Sequence, residues 1–263
     1  MTIHSLSSTE RHKEIVEMIE RNKRVSVLDI CERFAISEAT ARRDLEFMDE
    51  HDMIQRVYGG AIALDSPSLE VPIIDRQDMN CEQKRLIGLE AAKLINNGET
   101  IFLGSGTTVL EVARALVNHK NLTVITNSLP ILNTLSKTDN NIIGLGGELR
   151  SSELSFIGHI TEQSISEFRA DKVIIGTPAI SLEHGLTHEF MPETMTDRAV
   201  LKISSNVIVV ADFSKFERVA TSFLAPIEKI NTIVTDNNLE LQLVEAIEQR
   251  GVTVICSIVK SAK

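Results

Sequence analysis

Beyond residue 99, short apolar runs alternate with stretches of helical period, and the early runs empty into turns of Gly, Ser, Thr or Asn. Thr100-Ile101-Phe102-Leu103 leads into Gly104-Ser105-Gly106-Thr107-Thr108, then into Val109, Val112, Ala113 and Leu116 at helical spacing. Leu122-Val124-Ile125 leads into Thr126-Asn127-Ser128 and another helix, and Ile142-Ile143-Gly144-Leu145 into Gly146-Gly147. Further strand patterns cover 172–176, 207–211, 232–235 and 252–256, with helices over 82–96 and 239–249. Apolar runs without alternation suit strands covered on both faces, and parallel strands require crossovers that are usually helical. The order therefore predicts a layered α/β domain over 81–263.

The first sixty residues follow another rule. Residues 10–21 place Ile15, Met18 and Ile19 on one helical face, with Ser7-Ser8-Thr9 available as a cap. Residues 27–34 do the same with Val27, Ile30, Cys31 and Phe34 behind Ser26, and Ser37 caps a third helix whose inner side carries Ala41, Leu45 and Met48. Residues 53–61 read as strand, glycine turn and return strand. Residues 1–61 thus form a winged helix-turn-helix, and 62–80, with Pro67 and Pro72, form a linker.

In such a motif the later helix enters the major groove N-terminus first. That puts Ser37, Glu38, Thr40 and Ala41 near base edges, lets Arg42 and Arg43 reach bases or phosphates, and brings Arg56 and Tyr58 of the wing to the DNA backbone. Asp44 has a different role, orienting an arginine or joining a network inside the domain. The competing reading is a helical dimerisation cap with solvated arginines. Charge sharpens the choice: 27 Lys+Arg against 37 Asp+Glu give −10, and residues 1–60 alone hold 9 against 12. A generally basic surface is excluded, so DNA contact must rest on a few placed groups.

Three widely separated cysteines without a CxxC pair give neither a disulfide framework nor a zinc site. Cys31 and Cys256 fall in apolar patterns and are expected inside; Cys81 is expected outside. No apolar run approaches the roughly 20 residues of a membrane span, so a cytoplasmic location is expected.

Loops at the carboxyl ends of parallel strands converge on a crevice, where open α/β sheets bind ligands. Gly104 and Gly106 permit close approach, Ser105, Thr107 and Thr108 supply hydroxyls, and the helix start supplies N–H groups suited to phosphate. The loop lacks the lysine of GxxxxGK[ST] and the GxGxxG spacing, so no nucleotide cofactor is expected. Gly146 and Gly147 repeat the turn. Asn127 can bond polyol hydroxyls or merely make a turn; Lys215 can neutralise phosphate and Asp212 orient it, or the two can form a strand-end cap. Glu193, Asp197 and Arg198 open a later helix as secondary contributors. His184 and His188 flank Gly185 without a metal-binding set.

The string Val25-Ser26-Val27…Phe34-Ala35-Ile36-Ser37-Glu38-Ala39-Thr40-Ala41-Arg42-Arg43-Asp44-Leu45, closed by Arg56-Val57-Tyr58-Gly59-Gly60-Ala61, resembles the signature of DeoR-type bacterial transcriptional regulators. Ala41 stands where that family usually has Ile. Glu82-x-Lys84, the 104–108 loop, Thr126-Asn127-Ser128, Gly146-Gly147, Gly185-x-Thr187 and Asp212-x-Ser214-Lys215-Phe216 extend the resemblance along nearly the whole chain. It implies an effector domain similar to ribose-5-phosphate isomerases. Their Asp-Gly-Ala-Asp segment is replaced here by Gly176-Thr177-Pro178-Ala179, so the resemblance implies sugar-phosphate binding without catalysis. It further implies a repressor of carbohydrate catabolism, a homo-dimer or homo-tetramer on double-stranded operator DNA, released or retained by a phosphorylated sugar. The rivals are an isomerase with an accessory domain and a ligand-responsive protein-interaction factor.

Overall fold

The computed structural model describes residues 8–22, 24–51, 53–62 and 72–258. They fall into two compact units, Met1–Asp75 and Arg76–Lys263.

In the first unit α1 (Ser8–Asn22), β1 (Arg24–Ser26), α2 (Val27–Phe34) and α3 (Glu38–Glu50) precede the hairpin of β2 (Gln55–Val57) and β3 (Gly60–Ile62). Ser7, named as a possible cap, lies outside the described residues. Ser26 makes a full capping box: its hydroxyl accepts from the Asp29 N–H, and the Asp29 carboxylate accepts from the Ser26 N–H at 2.9 Å. Ser37 caps α3 by accepting from Thr40 N–H. Between them the chain reverses at Ala35, which adopts φ 52° without being glycine. Ile15, Ile19, Val25, Ile30, Leu45 and Met48 close the core.

Strand β1 lies between the two helices that the period announces and carries no sequence signal of its own. It joins the hairpin antiparallel, in the order β1-β3-β2. Gly60 makes this possible, since a Cβ there would lie 2.0 Å from the Val25 carbonyl oxygen.

The helical turn α4 (Ile73–Arg76), inside the stretch expected as linker, contains the boundary between the units, and α5 (Cys81–Ala92) is the first helix wholly within the second. Its strands and helices alternate: β4 (Thr100–Leu103), α6 (Thr107–Ala115), β5 (Thr123–Thr126), α7 (Leu129–Leu135) and β6 (Asn141–Gly144). A hairpin of β7 (Glu148–Arg150) and β8 (Ser155–Ile157) precedes α8 (His159–Ser166) and β9 (Lys172–Ile175). Then come β10 (Ala179–Ser181), β11 (Gly185–His188), α9 (Met191–Val200), β12 (Val207–Val210), β13 (Ser222–Ala225), β14 (Thr232–Asp236), α10 (Leu241–Glu248) and β15 (Thr253–Ser257).

Seven strands form one parallel sheet in the order β15-β14-β12-β9-β4-β5-β6. Alternation along each strand feeds two cores. Phe102, Val173, Ile175, Val209 and Ile233 face one, and Ile101, Leu103, Ile174, Ile208, Val210 and Val234 face the other. Each such side chain contributes about 1.5–3 kcal/mol by leaving water. Strands β10, β11 and β13 make a separate antiparallel sheet that the periodicity does not announce, because its strands have only three or four residues. Cys256 corrects an expectation: it is exposed, because β15 is an edge strand, whereas Cys31 is half-buried and Cys81 exposed.

From β4 the order runs to β5 and β6 on one side, and through β9, β12, β14 and β15 on the other. The order in which strands are added therefore reverses between the parallel neighbours β4 and β9, where the loops after both strands leave a crevice.

Candidate functional sites

On the first unit, Ser37, Glu38, Arg42 and Arg43 stand exposed on the opening turns of α3. Arg42 Nη2 pairs with Glu38 Oε2 at 3.1 Å, whereas Arg43 has no ion-pair partner among the described residues. Thr40 is half-buried, its hydroxyl 3.0 Å from that of Ser37. Ala41 departs from the expected contact set: it is fully buried, one position inside the amphipathic face, and its methyl packs in the core instead of facing a groove.

Asp44 also points inward. It accepts from Arg11 Nε at 2.6 Å and Nη2 at 3.0 Å, and its Oδ1 lies 2.9 Å from His12 Nε2, tying α3 to α1. Burial alone would raise its pKa, but Arg11 and His12 outweigh burial and hold it below the usual carboxylate range. On the hairpin, Arg56 is exposed and reaches Glu46 Oε1 at 3.4 Å, while its N–H donates to Asp49 at 2.7 Å. Tyr58 projects from the turn, half exposed. The exposed ion pairs Arg42–Glu38 and Arg56–Glu46 are worth under about 1 kcal/mol each, so both arginines can be given up to phosphate at small cost.

In the second unit the loop after β4 sits at the switch point. Gly104 N–H donates to Ile174 carbonyl at 2.9 Å, and a Cβ there would be 3.2 Å from Ile175. Gly106 opens α6 at φ 109°, with open space where a Cβ would stand. Thr107 and Thr108 are buried on the first turn. The Ser105 hydroxyl donates to Glu193 Oε1 at 2.8 Å, so this loop meets the first turn of α9.

Asn127, after β5, is buried; its amide donates to Phe156 carbonyl at 2.8 Å while Oδ1 has no hydrogen-bond partner among the described residues. Gly147 fits closely against α8, since a Cβ would lie 2.0 Å from Thr161 Oγ1, which donates to Gly146 carbonyl at 2.9 Å. Asp212 accepts from Ser214 N–H at 3.0 Å and Asn80 Nδ2 at 3.1 Å. Lys215 is half-buried; burial lowers its pKa and Asp212 opposes the shift.

Several members of this cluster escaped the sequence reading as site residues. Lys84 is buried, donates to Arg76 carbonyl at 2.6 Å, and is pushed by burial down to about 8. Arg76 pairs with buried Glu153. Arg150, at the end of β7, pairs with Glu193 and stacks over Phe190, 4.3 Å from the ring centroid. An arginine just beyond a strand-end Gly146-Gly147 turn was the available signal. Asp197 is buried, and burial, then the charge of Glu153, push it up to about 7 against Arg150. His188 Nε2 lies 3.9 Å from Glu193 Oε2, and His184 stands exposed. Among the described residues no group of three or more His, Cys, Asp or Glu is placed to hold a metal, and no helix is long and apolar enough to cross a membrane.

A winged head and an α/β unit with a polar, cation-bearing crevice define the class. The DeoR-like helix-turn-helix domain matches residues 11–67, and the DeoR C terminal sensor domain matches 79–237. The Glycerol-3-phosphate regulon repressor of Escherichia coli (strain K12) is 40% identical over 232 residues, 88% of this chain and 92% of that protein. Transcriptional repressor AccR of Agrobacterium fabrum is 36% identical over 246 residues, 93% of this chain and 95% of that one. The chain belongs to the DeoR family of helix-turn-helix transcriptional regulators. Among solved structures, ribose 5 phosphate isomerase A from Neisseria gonorrhoeae overlaps 51% of this chain and 52% of its own at 18% identity and TM-score 0.38. The Pyrococcus horikoshii OT3 translation initiation factor eIF-2B overlaps 87% and 82% at 18% identity and TM-score 0.43. These partial likenesses define neither chemistry nor ligand.

Proposed function

We propose that the protein is a cytoplasmic repressor of carbohydrate catabolism genes, that its domains are 1–61, a linker 62–80 and an effector and oligomerisation domain 81–263, and that a phosphorylated sugar or related metabolite modulates its operator binding. It carries out no reaction of its own. The observation that carries the reading is the exposed Arg42–Arg43 pair on a serine-capped helix opening, beside an exposed Arg56 and Tyr58. Paired heads, in a homo-dimer or homo-tetramer, then match paired half-sites.

The crevice supports a phosphate-bearing effector through the glycine loop 104–108 and through Lys215, with Asp212 and Asn127 suited to hydroxyls and Gly146-Gly147 shaping its edge. A relative's being named for a glycerol-3-phosphate regulon accords with that chemistry. Catalysis is disfavoured by Gly176-Thr177-Pro178-Ala179, which offers no carboxylate where the isomerases carry two. Such an effector switches DNA binding only if it prefers one arrangement of the heads over another.

The test is titration of the full chain onto its own upstream DNA at several salt concentrations. Arg42→Ala and Arg43→Ala should each cost about 1–3 kcal/mol, and a phosphate-contacting arginine should also reduce the salt slope by about 1. Unchanged affinity in both variants would remove α3 from the interface.

A further inference from the structure

Glu193 is a carboxylate only 3% exposed, on the first turn of α9. A buried carboxylate is costly unless charged or hydrogen-bonding groups surround it. Here they do. The Ser105 hydroxyl of the glycine loop donates to Oε1 at 2.8 Å, the Arg150 guanidinium closes on Oε2, and His188 Nε2 stands 3.9 Å from the same oxygen. Arg150 is held in turn by the face of Phe190. A loop hydroxyl, a guanidinium and an imidazole arranged around one anion make an anion-binding site, and its present occupant is the protein's own side chain.

We infer that Glu193 is a resident occupant of the effector's anion site, and that Arg150 receives the effector's phosphate once that carboxylate is displaced. The inference rests on the crevice being the effector site and adds a residue and a rule of selection to it. While Glu193 holds Ser105 and Arg150, the loop lacks one hydroxyl and the crevice one cation. A phosphate monoester or free phosphate, with near-double charge and three acceptor oxygens, can outcompete one carboxylate for these donors; an unphosphorylated sugar cannot. The competition sets a threshold, because apparent affinity falls by the fraction of molecules in which the site is open. Displacement also acts on α9, which packs against α8 and β13.

The experiment is isothermal titration of the full chain with inorganic phosphate and with methyl phosphate, which separates recognition of the free ion from recognition of an ester. Glu193→Gln removes the competing charge, and an open fraction of about one tenth in the parent gives about tenfold tighter binding. Glu193→Asp draws the carboxylate back from Ser105 while leaving Arg150 a counterion, and should give a smaller gain in a site less disturbed. Adding Arg150→Gln to Glu193→Gln should abolish the gain. If both Glu193 variants, folded by circular dichroism, bind no tighter than the parent, Glu193 is not a competitor and the inference falls while the crevice reading stands. If Ser105→Ala and Lys215→Ala also leave binding unchanged, the crevice is not the anion site and both fall.

Discussion

Two buried carboxylates show how the same residue type takes opposite roles. Asp44 is ionised and held by Arg11 and His12, so its folded pKa lies below the unfolded value. Its contribution is present above about pH 4 and is lost as pH falls through the folded value. Asp44→Ala removes the carboxylate that both Arg11 and His12 hold and should destabilise the head by about 3 kcal/mol at pH 7 in urea titration; a cost under about 1 kcal/mol would mean that the network is solvated. Asp197 runs the other way. With its folded pKa raised to about 7, its contribution is complete below about pH 4 and is lost as pH rises through about 7. Asp197→Asn should therefore gain on the parent between pH 4 and pH 8, by up to about 4 kcal/mol. A gap that stays flat across that range would show that Asp197 ionises freely.

At the scale of elements, caps and tight turns decide where helices stop. Ser26→Ala removes the hydroxyl half of the capping box and should cost about 1 kcal/mol, read as a lower midpoint for the head. Ala35 bears the opposite prediction: glycine relieves its left-handed backbone, so Ala35→Gly should be neutral or stabilising by about 0.5 kcal/mol, while Ala35→Val should destabilise. Gly60→Ala should open the β1–β3 ladder, costing about 1–3 kcal/mol.

These elements also show what a sequence can disclose. Helices α2 and α3 and the parallel strands are legible because period and caps are local. Strand β1, the β10-β11-β13 sheet and the β7-β8 hairpin are not, since three or four residues carry no period, and the β1–β3 and β11–β13 pairings also join segments distant in sequence. The same holds in the crevice. Glycine-loop residues announce themselves by composition, but the Arg150–Glu193 pair spans 43 positions and exists only once α9 is set beside β7 and the 104–108 loop. Asp44 was readable as a network residue, yet its partner proved to be Arg11 and not the adjacent arginines.

For the whole molecule the charge of −10 is the organising fact. An acidic chain gains little from non-specific attraction to DNA, so its occupancy should depend on a few arginines and on two heads acting together. A metabolite that changes how the heads are presented then has strong leverage over binding. The most direct test is fluorescence anisotropy of the full chain on its own upstream DNA, with unrelated DNA as competitor, across a panel of sugar phosphates and their unphosphorylated sugars. The account predicts specific binding that at least one sugar phosphate shifts by about tenfold or more and that no unphosphorylated sugar shifts. Absence of specific binding under every condition, or binding indifferent to the whole panel, would contradict it.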